Sequence, residues 1–309
     1  MSKILITGAS GYLGSVIVGE LLEEHEITAY DIQMYDKTSL LQYASHPNFK
    51  FIRGDVRNTG AFIEEIAKHD VILPLAALVG APLCAKNPLD AILCNQGQLE
   101  VIAQHKRPEQ KVIFNNTNSG YGSTGGTSLC TEETPMKPVS LYGETKCAGE
   151  DAIRGVDNHV VFRLATIFGA STRPRMDLLV NNLVGRALKE KMIVLYENSS
   201  MRNYLHVKDV ARGTKFVLDN WDKCKNEVYN FGNDNINMSK LDLVKEIQKQ
   251  VPCEIIKAEY TKDPDARDYI VSSQKFYNKG FECKYDLQYG IRELVKVYSM
   301  VDVPVNANY

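Results

Sequence analysis

A short apolar run, Lys3-Ile4-Leu5-Ile6-Thr7, passes directly into Gly8-Ala9-Ser10-Gly11-Tyr12-Leu13-Gly14, and then into a stretch with Leu13, Ile17 and Leu21 at helical spacing. No other feature limits the fold as much. Glycines at those three places allow a tight turn, close approach of a ligand to the backbone, and close packing of a helix on a strand. The helix that follows offers unpaired N–H groups and the positive end of its dipole, which together make an anion site. The spacing is G-x-x-G-x-x-G, not the commoner G-x-G-x-x-G, so position carries the argument. The loop stands at the first strand–helix junction of an alternating chain. It predicts a dinucleotide pyrophosphate over Gly8, Gly11 and Gly14, with Tyr12 and Leu13 beside it.

The alternation continues. Strands are expected at 26–31, 49–53, 71–73, 111–115 and 159–164, and helices at 12–23, 59–68, 88–104 and 140–154. Such an order builds an α/β protein with a doubly wound parallel sheet of the Rossmann kind, covered on both faces. Beyond Ala165 the pattern loosens into helices at 176–189, 207–218, 239–250 and 289–298, with strands near 193–196 and 254–258. The reading is a smaller C-terminal substrate domain interleaved with the first. Residues 1–165 and 205–232 would form the cofactor unit, and 166–204 with 233–309 the second.

Asp31 ends the second strand, 17 residues beyond Gly14. A carboxylate there accepts hydrogen bonds from both ribose hydroxyls and repels a 2′-phosphate. No arginine stands next to it in the sequence, so NAD is expected over NADP. Asp55, after the third strand, is placed to reach the adenine edge, with Val56 beside it. Lys plus Arg is 36 against 38 Asp plus Glu, a net charge of −2 that gives no footprint for nucleic acid or an anionic membrane. Seven cysteines without a C-x-x-C pair read as reduced thiols of a cytoplasmic protein. The first residues run straight into a strand with no leader-like segment. The longest apolar run, 71–81, is too short to span a bilayer. Six scattered histidines predict no metal site.

Tyr142-Gly143-Glu144-Thr145-Lys146 puts a phenol and an ammonium four residues apart, on one face of a helix. A free phenol, with a pKa of about 10, is a poor base at neutral pH. A neighbouring ammonium and a positively charged nicotinamide ring favour its phenolate. The preceding strand ends in Asn115-Asn116-Thr117-Asn118-Ser119-Gly120-Tyr121-Gly122, with hydroxyls where ligands bind in open α/β sheets. With the glycine loop, Asp31 and Tyr142/Lys146, this run resembles the extended short-chain dehydrogenases of the NAD-dependent epimerase/dehydratase type that act on nucleotide sugars. The resemblance implies that Thr117 binds the reacting sugar hydroxyl, with Ser119 as an accessory, and that Asn95 lies near the cofactor. It also implies that Asn181, Arg202 and Arg267 bind the substrate's diphosphate and nucleoside, a task suited to the guanidinium fork. Asp209 reads as a structural cap.

Two segments are more particular. Ala76-Ala77-Leu78-Val79-Gly80-Ala81-Pro82-Leu83-Cys84 and Arg173-Pro174-Arg175-Met176-Asp177-Leu178-Leu179-Val180-Asn181 resemble the GDP-heptose 4-dehydrogenases of bacterial capsule synthesis. That likeness adds Ala76 to the cofactor set and Arg173 and Arg175 to the substrate set. Cys84 has no base beside it in the motif and reads as a wall of the nicotinamide pocket. The implied reaction is oxidation of a C4 hydroxyl on a nucleotide sugar, with a GDP-sugar favoured. A 4-epimerase uses the same residues without net redox change, and a non-catalytic NAD-bound regulator would share the fold. A 4,6-dehydratase is disfavoured, because Asn118 and Ser119 occupy the places of its Asp-Glu pair. The resemblance further implies a homodimer through the helices at 88–104 and 140–154.

Overall fold

The structure, a computed structural model, describes residues 1–124, 128–196, 199–257 and 268–301. Fourteen strands occur among them: β1 (Lys3–Thr7), β2 (Glu26–Asp31), β3 (Phe49–Arg53), β4 (Val71–Pro74), β5 (Lys111–Thr117), β6 (Leu129–Cys130), β7 (His159–Leu164), β8 (Thr166–Phe168), β9 (Met192–Leu195), β10 (Met201–His206), β11 (Glu227–Phe231), β12 (Asn233–Ser239), β13 (Glu254–Lys257) and β14 (Ile270–Val271). Seven of them form one sheet in the order β11-β7-β5-β4-β1-β2-β3, parallel at every pairing. Strand order reverses between β1 and β4, and such a switch point opens a crevice at the carboxyl ends of the strands.

The helices of the first part are α1 (Tyr12–Leu21), α2 (Thr59–Ile66), α3 (Ala81–Lys86), α4 (Pro88–Ile92), α5 (Gln98–His105) and α6 (Leu141–Arg154). Alternate side chains along each strand divide between two cores. Ile4, Ile6, Ile113, Val160 and Phe162 join Ile17, Val18 and Leu21 of α1 on one face. Leu5, Val112, Phe114 and Val161 join Phe62, Leu99, Ile102 and Ile153 of α2, α5 and α6 on the other. That two-sided burial is why the strands read as continuous apolar runs.

The helix expected over 88–104 is not continuous. It is α4, a π-helical stretch over Leu93–Gly97, and α5. Asn95 and Gln98 from this wide turn point inward and are buried, a use to which such bulges are often put. The helix expected from 176 begins at Leu179, as α7 (Leu179–Lys189). Arg175 is engaged with Asp177, and Asn181 Nδ2 donates to Arg175 O, which holds residues 175–178 in an irregular path.

The second part contains α8 (Val207–Asp219), α9 (Trp221–Cys224), α10 (Lys240–Gln248), α11 (Gln274–Tyr277) and α12 (Leu287–Met300). α8 packs back on α1 and shares its core through Val210, Ala211 and Val217. A separate core gathers α7, α10 and α12 with β9 through Val180, Val184, Leu243, Ile247 and Ile291. A three-stranded sheet, β12-β10-β8, and the short pairs β13-β9 and β14-β6 complete this part. Among the described residues no helix is long and apolar enough to cross a membrane.

Candidate active site

A cavity of about 650 Å³ lies along the carboxyl ends of β1, β4, β5 and β7. Its wall begins at the glycine loop. Gly8 has φ +66°, and a Cβ there would meet Ala76 N at 2.6 Å, so both conformation and space require glycine. α1 starts from Gly11 with no side-chain cap, which leaves its first N–H groups for a ligand. Gly8, Gly11, Gly14 and Leu13 all face the cavity, as does Tyr12. The Tyr12 phenol donates to Gly169 O at 2.8 Å, so its hydroxyl is engaged within the protein.

The Asp31 carboxylate accepts from Ser10 N at 2.9 Å and from Gln33 N at 2.6 Å. Burial raises its pKa, against those two bonds and the nearby Arg173. That arginine corrects one premise drawn from the sequence. None is adjacent along the chain, yet Arg173 comes to Asp31 through space and lies over the Tyr35 ring at 4.3 Å. Arg173 therefore stands close to Asp31, with Arg175 and Asp177 also within electrostatic reach of it. Asp55 and Val56 line the same cavity. Hydrogen bonds from Arg57 hold the Asp55 carboxyl below the usual carboxylate range, and Arg57 also pairs with Asp90 at 2.5 Å.

Ala76 is fixed from both sides, since its N–H donates to Thr7 Oγ1 at 3.1 Å and Gln98 Nε2 donates to its carbonyl. Asn95 does not line the cavity. It is 1 % exposed, exchanges bonds with Leu78 N and O at 2.9 and 3.0 Å, and reaches Thr145 Oγ1 at 3.2 Å. Its work is to pin the Ala76–Gly80 turn to α6. Cys84 is equally enclosed, its thiol donating to Leu78 O at 3.2 Å and pushed up by burial. It is packing under the wall, not the wall itself.

Tyr142, Lys146, Thr117 and Ser119 share the middle of the cavity. α6 opens with Ser140 Oγ accepting from Gly143 N, which sets the first turn that carries Tyr142. Lys146 Nζ donates to Asn115 O at 2.6 Å and sits 4.2 Å from the centre of the Phe114 ring. Burial lowers its pKa to about 7, against the opposing charges of Cys147, Cys84 and Glu150. Thr117 Oγ1 donates to Ser119 Oγ at 2.9 Å and accepts from Ser119 N at 3.1 Å, so the two hydroxyls act as a linked pair.

Arg175, Arg202 and Lys240 bring positive charge to the same cavity, with Asp177 engaged by Arg175. Arg202 is 3 % exposed and lies over the Tyr269 ring at 5.7 Å. Lys240 carries no motif that the sequence could have flagged, and it arrives as the first residue of α10 after the cap Ser239. Asn181 is buried behind the wall, bonded to Gly169 N at 3.1 Å and Arg175 O at 2.9 Å, and its neighbour Asn182 faces the cavity instead. Arg267 lies outside the described residues. Asp209 is fully buried and accepts from Lys284 N, Tyr285 N and Arg212, a structural tie.

A glycine-loop helix N-terminus, a buried strand-end carboxylate and a Tyr/Lys pair in one crevice define a Rossmann-type nicotinamide-dinucleotide enzyme. Residues 4–232 match the family described as the NAD dependent epimerase/dehydratase family, and the chain belongs to it. NAD is its cofactor, and the uncapped α1 and the cradle at Gly8 fit that group. The chain is similar to the low-salt glycan biosynthesis protein Agl12 of Haloferax volcanii, 25% identical with 96% of this chain and 98% of that protein covered. It is similar in structure to the dTDP-glucose 4,6-dehydratase of Bacillus anthracis in complex with NAD, with a TM-score of 0.82, 25% identity and 98% of each chain covered. The UDP-glucuronic acid 4-epimerase of Bacillus cereus, in complex with UDP-glucuronic acid and NAD, superposes with a TM-score of 0.83, 23% identity, and 97% and 100% covered.

Proposed function

We propose that the protein oxidises the C4 hydroxyl of a nucleotide-activated sugar. The observation that carries this reading is one cavity holding the glycine loop, the Tyr142/Lys146/Thr117 group and the cations Arg175 and Arg202. Thr117 and Ser119 orient the sugar hydroxyl, and the Tyr142 phenolate takes its proton. Lys146, when charged, favours the ionised phenol and would hold the cofactor ribose. Bound NAD supplies the hydride acceptor. Arg175 and Arg202 hold the substrate's diphosphate. Asn118 is fully buried and Ser119 is a hydroxyl, so neither supplies the acid–base pair that a dehydratase needs.

The particular substrate we favour is a GDP-heptose, in bacterial surface polysaccharide synthesis, on the strength of the 76–84 and 173–181 segments. A second reading, the 4-epimerase, is supported by the Bacillus cereus relative, an epimerase of the same fold. We also include a homodimer, since Leu89, Ile92 and Leu93 are 67%, 40% and 40% exposed on the α4 side of the molecule. Light scattering of the purified protein tests that point.

The deciding experiment mixes the protein with separate GDP-, UDP- and CDP-sugars, a GDP-heptose among them, and follows nicotinamide absorbance and sugar products together. Reduced nicotinamide with a keto sugar supports the dehydrogenase. An inverted sugar without net reduction makes it an epimerase. No product from any of them, with NAD bound, overturns both in favour of a regulator.

A further inference from the structure

β5 and α6 supply the two halves of the catalytic group, Thr117 from the strand and Tyr142 with Lys146 from the helix. They are joined at two points. One is Lys146 Nζ on Asn115 O, at 2.6 Å. The other lies one residue further along the strand and one turn further along the helix, where Asn116 Nδ2 donates to Glu150 Oε2 at 2.5 Å. The opposite end of the same amide accepts from Thr117 N at 2.7 Å. Asn116 and Glu150 are each 2 % exposed. Glu150 cannot drift, because Arg163 of β7 grips it through Nη2 at 2.6 Å and through Nε at 3.2 Å to both oxygens. Arg163 is in turn held by Tyr121 OH and Glu132 O, each at 2.9 Å.

We infer that Asn116 is a positioning residue: its amide bridges Glu150 and the Thr117 backbone, and so sets the distance between the Thr117 hydroxyl and the Tyr142 phenol. The inference rests on the proposed roles of Thr117 and Tyr142. Two attachment points along a strand and a helix fix both rotation and slide of one against the other, where a single point would fix neither. The residue type follows from the partners. A carboxylate at 116 would still accept from Thr117 N but would present an acceptor to Glu150, and a methyl would offer nothing to either. A buried, fully satisfied network of this kind holds geometry tightly because each broken bond strands a polar group.

The test compares NAD-loaded wild type with Asn116→Ala, Asn116→Asp, Glu150→Gln and the double variant Asn116→Asp/Glu150→Gln. The double variant returns the hydrogen bond with donor and acceptor exchanged, and it guards against a single variant that fails to fold. Crystal structures read the Thr117 Oγ1 to Tyr142 Oη separation directly, independent of any substrate. We expect it to differ from wild type in Asn116→Ala by about 1 Å, a displacement large enough to cost about 10²-fold in rate. With the sugar nucleotide turned over in the assay above, kcat should fall while KM stays near wild type, and the double variant should recover part of the loss. An unchanged separation in Asn116→Ala and Asn116→Asp overturns the strut. A changed separation with undiminished turnover leaves the strut and overturns the proposed catalytic roles, as would a fully active Tyr142→Phe.

Discussion

Two charged groups, buried Lys146 and partly buried Glu293, one in each part of the molecule, are handled in opposite ways. Lys146 sits in the large-sheet part against a carbonyl and an aromatic ring, with no carboxylate bonded to it among the described residues, and burial brings it down to about 7. Glu293 on α12 is closed off by partners: Lys208 Nζ at 2.5 Å, His206 Nε2 at 3.0 Å and Ala170 N at 2.7 Å. Burial alone would raise that carboxyl, but these bonds outweigh it and hold it at about 2. The second cluster is complete within the protein and ties β10 and α8 to α12. The first opens on the cavity. A charge left short of partners marks where a ligand belongs; a charge fully paired marks where the fold is fastened.

The largest effect that tests this contrast is on turnover. Lys146→Met should lower kcat by about 10²–10⁴-fold, while Glu293→Gln should leave it near wild type in steady-state assays. Comparable losses in both would erase the distinction. Next comes stability. Glu293 has its folded pKa below the unfolded 4.5, so its contribution is present above 4.5 and fades as pH falls toward about 2. Glu293→Gln should therefore lose on the order of 3 kcal/mol at neutral pH in denaturant titrations, with the gap to wild type closing in acid.

Lys146 predicts a slope of the same sign in a higher pH window, but there burial opposes folding below the window instead of partners favouring it above. Its folded pKa of about 7 lies below the unfolded 10.5, so the unfolded chain binds the extra proton between those values. Stability of the cofactor-free protein should rise with pH across that window, by an amount on the order of a few kcal/mol, and Lys146→Met should flatten the rise. A Met variant that keeps the slope would assign it to other groups. The smallest change is expected at the Arg57–Asp55–Asp90 group, whose side chains are about a third exposed. Arg57→Ala should shift the unfolding free energy by less than about 1 kcal/mol, and a larger loss would place this group with Glu293.

Legibility in the sequence divides along the same line. The glycine loop, Asp31 and the Tyr142/Lys146 spacing are local signals, readable because one strand–helix junction or one helical turn contains each of them. Asn95 and Asn181 were placed by resemblance, and the structure finds both behind the wall, bonded to the turns that shape it. An asparagine's position along the chain does not say whether its amide faces a ligand or a neighbouring backbone. The approach of Arg173 to Asp31, the arrival of Lys240 and the Asn116–Glu150–Arg163 network depend on contacts between residues far apart in the chain, which no local period encodes. The π-helical stretch was missed for another reason. Its apolar spacing is close enough to that of an α-helix that the two cannot be told apart by pattern.

β7 is buried along its whole length and lies between β5 and β11. β11 is made from residues 227–231, after the chain has left the sheet to build β8, β9 and β10. During synthesis, then, the sheet carries a bare apolar edge from the moment Leu164 is available until Phe231 follows it. At about 5–20 residues per second that interval lasts several seconds. An exposed edge of this kind is a template for pairing with another chain. The nascent protein is thus most open to misassociation, and to holding by chaperones, while its second part is being translated.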